Sequence, residues 1–209
     1  MIWLVRHGAT EWSRTGQHTG VTDLPLTLEG ETMAAALAPR LAGLMLVHTL
    51  VSPRLRARQT CRLSGCGPPG EIDSDLAEWN YGRYEGLTSP DIRQIQPGWS
   101  IWRDGCPDGE APADVAGRAD RLIARLLDLE GPVALFSHGH LCTALALRWL
   151  GLALVHGPHF PLSPASLSLL TCAPGEPDRR VLGLWNEVAL PSQCEGPISH
   201  GRGSAERST

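Results

Sequence analysis

The chain has 209 residues, a formal net charge of −4 and 42% hydrophobic residues, which predicts one globular domain large enough to bury a substantial core. It contains no basic block, so the charge pattern does not indicate binding to nucleic acid or to an anionic membrane surface. All 18 basic residues are arginine, and the lack of lysine excludes Schiff-base chemistry and a P-loop lysine.

Short apolar runs alternate with helical patterns along the chain. Residues 2–5 predict a buried strand, and a polar loop rich in glycine follows it. Thr27 can cap a helix over 28–42, in which Pro39 is a candidate breaker, and the Ser-Pro pair at 52–53 predicts another helix start. The remaining strand patterns lie at 45–51, 71–77, 133–136, 166–172 and 180–186, and the remaining helical patterns at 55–63, 112–129 and 141–151.

The order of these elements is β-α-β-α, then loops and helices, then β-α-β-β. It predicts an α/β fold, a three-layer α/β/α sandwich with a central, mostly parallel sheet. Residues 1–190 would form this single domain. Residues 191–209 are polar and rich in glycine and serine, so we expect a flexible C-terminal tail without a catalytic role.

Two histidines directly follow apolar strands of the predicted sheet. His7 comes after the first strand with Arg6 beside it, and His138 comes after the strand at 133–136. Arg56 follows a third strand. Because ligands of α/β sheets bind at the carboxyl ends of the strands, these four side chains could meet in one pocket.

A cluster of arginine and histidine suits a phosphoryl group. Guanidinium groups bind phosphate oxygens in bidentate pairs and stabilise the charge of a phosphoryl group in transfer. A histidine nucleophile needs a neutral ring, and positive charge nearby favours that form by lowering the pKa. His7 beside Arg6 meets this requirement.

Four stretches of the sequence together carry a resemblance to a known family. LVRHGATEW, SPRLRARQT, LAEWNYGRYEG and FSHGH occur in this order between residues 4 and 140. They resemble the signatures of the histidine phosphatase superfamily, also called the phosphoglycerate mutase-like family. RHG alone is a weak pattern, whereas four ordered blocks are specific.

The resemblance implies catalytic roles for the residues that match it. His7 would be the nucleophile that forms a phosphohistidine. Arg6, Arg56 and His138 would clamp the phosphate. Glu78 would protonate the leaving oxygen and then activate water. Because protein groups neutralise the charge in this scheme, we expect no metal and no cofactor.

Substrate contacts follow from the same resemblance. Thr19 and Gly20 match loop positions that contact substrate or phosphate, and Gly139 would let the backbone approach the anion. Ser13 stands where the mutase branch usually has asparagine, and the chain instead resembles the sedoheptulose-1,7-bisphosphatase-like subgroup, which implies hydrolysis of sugar phosphates or bisphosphates. Arg103, in the stretch IWRDG, is a candidate ligand for a distal phosphate.

Several alternatives stay open at this point. Glu85 competes with Glu78 for the role of the acid, and His18 and His140 lie near the site in sequence without an assigned function. A cofactor-dependent phosphoglycerate mutase, a phosphoprotein phosphatase of the same family and a catalytically silent binder of phosphorylated ligands are the competing functions.

The sequence also gives expectations for the location and the partners of the protein. No apolar run approaches the length of a membrane span, and Arg6 and His7 interrupt the N-terminal run early, which predicts a cytoplasmic location. The six cysteines have no zinc-type spacing. We expect a small phosphorylated substrate, no nucleic acid and no membrane as partners, and a homo-oligomer stays open.

Overall fold

A single six-stranded sheet organises the protein, and the computed structural model describes residues 1–188 of the chain. The predicted tail at 191–209 and the last two residues of the predicted domain lie outside the described residues. The strands are β1 Ile2–Arg6, β2 His48–Val51, β3 Glu71–Ile72, β4 Val133–Ser137, β5 Ser166–Ala173 and β6 Glu176–Val188.

The strands lie in the order β3-β2-β4-β1-β5-β6. β3, β2, β4 and β1 are parallel to one another. β5 is antiparallel to β1 and to β6, so it alone runs against the other strands. The predicted mostly parallel sheet is confirmed, with β5 and β6 forming an antiparallel hairpin at one edge.

Eight α-helices cover the sheet within residues 1–188. They are α1 Glu11–Thr15, α2 Leu28–Ala35, α3 Ala38–Ala42, α4 Leu55–Leu63, α5 Ser89–Ile95, α6 Ile101–Asp104, α7 Pro112–Leu127 and α8 Gly139–Trp149. Short 3₁₀ turns occur at Ser74–Leu76, Gly82–Tyr84 and Leu154–His159. Across these residues, no helix combines the length and the apolar character that a membrane crossing requires.

Two predicted helices differ from the observed ones for local reasons. The helix expected over 28–42 is split into α2 and α3, because Pro39 has no amide hydrogen and occupies the first turn of a new helix. The helix expected from Ser52 begins only at Leu55, and Arg54 is its cap residue. The Ser52 hydroxyl bonds mainly to His138, 2.7 Å away, so it does not cap the helix.

The core lies on both faces of the sheet because neighbouring residues of a strand point to opposite sides. Leu4 and Leu135 pack in one cluster with Leu122 of α7 and Leu145 of α8. Val5 and Phe136 pack in a second cluster on the other face with Leu37, which precedes α3, with Leu41 of α3 and with Ala57 of α4. The arrangement is the three-layer sandwich expected from the sequence.

The loop after β1 is held by a close contact between backbones. Gly8 and Ala9 lie directly against Gly30 of α2, and a Cβ atom on Gly30 would overlap the backbone oxygen of Ala9. The amide of Thr27 donates to the same Ala9 oxygen at 2.9 Å. This contact fixes the chain immediately after His7.

Replacing Gly30 with alanine should therefore destabilise the fold. We expect Gly30→Ala to lower the free energy of unfolding by about 1–3 kcal/mol, the usual cost of overpacking. Urea denaturation followed by circular dichroism measures it. The matched control is Gly43→Ala, since a Cβ there meets nothing closer than 3.9 Å. Equal urea midpoints for the two variants would contradict the close contact.

Candidate functional site

A cavity of about 350 Å³ opens at the carboxyl ends of β1 and β4. β1 and β4 are parallel neighbours in which Arg6 pairs with Ser137, so the residues that follow the two strands leave the sheet side by side. The ring centroids of His7 and His138 are 5.2 Å apart. Of the ten residues predicted for the site, those that line the cavity are Arg6, His7, Ser13, Thr19, Glu78 and Gly139.

The His7 ring is fixed in one tautomer by its own loop. Nδ1 lies 2.7 Å from the carbonyl oxygen of Gly8, and a carbonyl can only accept, so Nδ1 carries the proton. Nε2 then keeps its lone pair. Burial, followed by the charges of Arg56 and Arg6, holds the pKa of His7 well below its usual value, so the ring is neutral at physiological pH.

Arg6 offers a buried donor at the wall of the cavity. Its Nη1 donates to the carbonyl oxygen of Leu162, while its buried Nε has no hydrogen-bond partner among residues 1–188. Gly139 begins α8 next to it, and a Cβ on Gly139 would lie 3.4 Å from the guanidinium carbon. An anion here would meet the guanidinium group of Arg6.

Arg56 lies behind the cavity and is fully buried. Its Nη2 donates to the carbonyl oxygen of Thr19 at 2.8 Å, its Nη1 to that of Thr22 at 3.0 Å, and its Nε to His138 Nδ1 at 3.2 Å. The guanidinium therefore holds the loop at 19–22 and does not line the cavity as the structure stands.

His138 is also fully buried and does not line the cavity. Because its Nδ1 accepts from Arg56, its proton lies on Nε2, which donates to the Ser52 hydroxyl at 2.7 Å. Burial, then the charges of Arg56 and His7, hold the pKa of His138 well below its usual value. The structure brings His138 to His7 as a neutral neighbour with both ring nitrogens bonded to the protein.

Glu78 lines the cavity at the amino end of α8. One carboxylate oxygen accepts from the amides of Trp79 at 2.9 Å and Leu141 at 3.0 Å, and the other accepts from the amide of His140 at 3.1 Å. The side chain is buried. The free amides and the dipole of the helix hold the carboxylate in place.

A buried ion pair anchors the chain on both sides of Glu78. Arg118 Nη1 donates to the carbonyl oxygens of Asp75 and Ala77 at 2.8 and 2.6 Å. Its Nε and Nη2 bind both carboxylate oxygens of Glu110 at 3.0 and 2.9 Å. Glu110 in turn accepts from the amide of Asn80 at 2.8 Å. The backbone at Glu78 is therefore fixed at residues 75, 77 and 80.

Sequence reasoning did not find this ion pair, although one signal was present. Arg118 lies three residues after Val115 and four before Leu122, on the apolar face of α7. A charged residue on the buried face of an amphipathic helix requires a partner. Its position pointed to a buried interaction but not to which carboxylate would make it.

Glu85, the competing carboxylate, has a different place. Its Oε1 accepts from the amides of Gly20 and Thr22, both at 2.9 Å. The side chain lies outside the lining of the cavity. Glu85 thus ties down the same loop that Arg56 binds from the other side, and Glu78 is the carboxylate that lines the cavity.

The predicted contacts at Ser13, Thr19 and Gly20 divide into two groups. Ser13 and Thr19 line the cavity, but the Ser13 hydroxyl already accepts from the Thr10 amide at 2.8 Å and donates to the Thr10 oxygen at 3.0 Å. Gly20 is buried outside the lining and its amide donates to Glu85. Its lack of a side chain is needed because a Cβ would overlap the carbonyl oxygen of Trp79.

The structure does not bring Arg103 to the cavity. Its exposed guanidinium pairs with Asp104 at 2.8 Å and donates to the carbonyl oxygen of Gly98 at 2.6 Å. Adjacent residues of a helix point in different directions, and in α6 it is Trp102 that lines the cavity. Contact of Arg103 with a distal phosphate stays a prediction, and it requires the side chain to leave Asp104 and Gly98 on the outer surface.

Two further histidines line the cavity together with tyrosine and tryptophan. The His18 ring stacks on Tyr81 with centroids 4.7 Å apart, and the His140 ring lies 5.0 Å from Trp102. Burial, then the charge of His140, lowers the pKa of His18 to about 3. Burial, then Arg6, lowers the pKa of His140 to about 4. This wall is therefore uncharged at neutral pH.

Comparison with known proteins places these features in a family. The family model of the histidine phosphatase superfamily (branch 1) matches residues 2–187. The chain is 42% identical over 187 residues to an acid phosphatase from Mycobacterium tuberculosis, which covers 88% of this chain and 92% of the relative. It is 38% identical over 181 residues to the sedoheptulose 1,7-bisphosphatase of Saccharomyces cerevisiae, covering 71% of this chain and 67% of the relative.

The fold is similar to that of solved structures as well. The product of an open reading frame from Mycobacterium tuberculosis superposes with a TM-score of 0.85 at 38% sequence identity, and the match covers 90% of this chain and 98% of the other. The sequence relatives and the similar fold both support the family that the four ordered motifs indicated. The chain therefore belongs to the histidine phosphatase superfamily, branch 1, as an enzyme of the phosphatase type.

Proposed function

We propose that this phosphatase hydrolyses monoesters of small phosphorylated metabolites, with sugar phosphates as the favoured class, through a phosphohistidine at His7 and without a metal ion. The observation that carries the proposal is the His7 ring, neutral and protonated on Nδ1, in a cavity that Arg6 also lines. The names of two relatives, an acid phosphatase and a sedoheptulose 1,7-bisphosphatase, support the substrate class.

In the first step the Nε2 lone pair of His7 attacks phosphorus. The P–N bond forms while the ester P–O bond breaks, and the leaving oxygen takes a proton from Glu78, which enters this step as the carboxylic acid. Arg6 stabilises the charge on the phosphoryl oxygens. The alcohol then departs.

In the second step water attacks the phosphohistidine. Glu78, now a carboxylate, takes a proton from the water, the P–N bond breaks and its electron pair returns to Nε2 of His7. Inorganic phosphate leaves and Glu78 is protonated again, so the cycle balances. The same carboxyl group serves as acid and then as base because it lines the cavity at a fixed position.

Arg56 and His138 take a supporting part in this scheme. After burial, the charge of Arg56 is the next cause of the low pKa of His7, and Arg56 holds the loop at 19–22. His138 accepts from the Nε of Arg56 at 3.2 Å. Direct contact with the phosphate stays a prediction, because it requires Arg56 to release at least one of the carbonyl oxygens that it binds.

Removal of the nucleophile should abolish turnover. We expect His7→Ala to lower kcat/KM for p-nitrophenyl phosphate by at least about 10³-fold and to abolish the acid-labile phosphoenzyme seen on rapid quench. His156→Ala, which removes an exposed ring outside the cavity, is the control. Activity that survives in His7→Ala, or that disappears in excess chelator, would count against the proposal.

The pH dependence should reflect the low pKa of His7. A neutral nucleophile is active above its pKa, and burial with the two arginines places that pKa well below 6.5. We therefore expect phosphoenzyme formation at saturating substrate to keep its rate as the pH falls through 6.5, and to be lost only at lower pH. Single-turnover kinetics from pH 4 to 8 measures this rate, and a half-maximal loss near pH 6.5 would show that His7 is not held neutral.

The role of Glu78 should depend on the leaving group. Alkoxide leaving groups need a proton and p-nitrophenolate hardly does, so we expect Glu78→Gln to lower kcat/KM about 10²–10⁴-fold for an alkyl phosphate and much less for the aryl ester. Glu85→Gln, which loosens the loop at 20–22, should affect both esters equally. The opposite pattern would make Glu85 the acid.

A further inference from the structure

The histidine two residues after His138 is held by a tyrosine inside the cavity. His140 and Tyr81 both line the cavity, and the Tyr81 hydroxyl lies 2.6 Å from His140 Nδ1. Tyr81 is only 2% exposed. The proposed mechanism gives neither side chain a role.

The direction of this hydrogen bond follows from the surroundings. Burial, then the charge of Glu78, raises the pKa of Tyr81 well above its usual value, so the phenol keeps its proton. Within residues 1–188, His140 is the sole hydrogen-bond partner of that hydroxyl. If Nδ1 carried the ring proton, the buried phenol would have no acceptor, which is costly. Tyr81 therefore donates to Nδ1, and the ring proton of His140 lies on Nε2.

The Nε2–H group of His140 is free to bind a ligand. Within residues 1–188, no residue forms a hydrogen bond with this group. It also keeps some accessible surface, since it is not one of the buried polar atoms that lack a partner. The ring lines the cavity. A neutral donor with a fixed tautomer is thus offered to whatever occupies the cavity.

The location of His140 points to the alcohol part of the substrate. Its backbone amide donates to Glu78 at 3.1 Å, so His140 is a neighbour of the residue proposed to protonate the leaving oxygen, and both line the cavity. The phosphoryl group would lie at His7 and Arg6. Around His140 the wall consists of uncharged rings, including Trp102 at 5.0 Å, which suits a carbon chain that carries hydroxyl groups and no charge.

We propose that His140 is a specificity-determining residue whose Nε2–H binds a hydroxyl oxygen in the alcohol part of the substrate, with Tyr81 fixing the tautomer. The inference rests on the proposed function and narrows it to phosphate monoesters of polyhydroxylated alcohols. A site that lacks its polar partner for a hydroxyl loses discrimination against the analogue without that hydroxyl.

The test compares two esters with chains of six carbons, sorbitol 6-phosphate and hexyl phosphate. The wild type should prefer the sorbitol ester in kcat/KM. His140→Phe keeps a ring but removes the donor, and we expect the preference to fall about 10–100-fold with little change for hexyl phosphate. His140→Gln, which retains an N–H donor, should recover part of the preference. Tyr81→Phe, which frees the tautomer, should reduce it by a smaller factor.

The outcomes separate the two proposals. An equal loss for both esters in His140→Phe and His140→Gln would make His140 a packing residue. A wild-type enzyme without preference for the sorbitol ester would also overturn the inference, while phosphatase activity through His7 would stand. Activity toward hexyl phosphate in His7→Ala would instead overturn the proposed function. Activity toward hexyl phosphate in the His140 variants confirms that they are folded.

Discussion

The parallel pairing of β1 with β4 is the constraint on which the site depends. Arg6 lies opposite Ser137 in this register, so His7 and His138 leave the sheet together and their rings meet at 5.2 Å. A shift by one residue would turn every side chain of a strand to the other face. The two buried clusters that hold Leu4 and Val5 on opposite faces therefore also determine the position of the His7 ring.

The positive charges of Arg6 and Arg56 at the site are only partly compensated by other groups of the protein. Arg6 and Arg56 bind backbone carbonyl oxygens, and neither forms a salt bridge within residues 1–188. Carbonyl dipoles stabilise a buried guanidinium less than a carboxylate would. A phosphoryl group in the cavity would supply negative charge beside Arg6.

The parts of the site that are local in sequence could be predicted, and those that depend on side-chain direction could not. His7 and Glu78 lie in short motifs, and the structure places both at the cavity. Arg103 and Trp102 are adjacent, and which of them faces the cavity depends on the rotation of a helix of four residues. Arg118 reaches Glu110 and residues 75–77 through contacts that only the tertiary structure brings together.

The same limit applied to the fold. Strand β1 and helix α7 carry clear periodic patterns and lie close to their predicted bounds. The break between α2 and α3 depends on Pro39, which the sequence indicated without deciding. The late start of α4 depends on Ser52 being bound to His138, 86 residues away. Ser52 has a local propensity to cap a helix, but its hydroxyl forms a tertiary hydrogen bond to His138 instead. A short stretch of sequence around Ser52 does not contain that information.

His7 and His140 line the cavity and His138 lies behind it, and these three neutral rings differ in the partner of Nδ1. Burial removes the charge from His7, His138 and His140 alike. At His138 and His140 a donor, Arg56 or Tyr81, faces Nδ1, so Nε2 carries the proton. At His7 the Nδ1 partner is a carbonyl oxygen, so Nε2 keeps its lone pair. Of these three rings, only His7 has a lone pair on Nε2, and the backbone oxygen of Gly8 is the partner that fixes this tautomer.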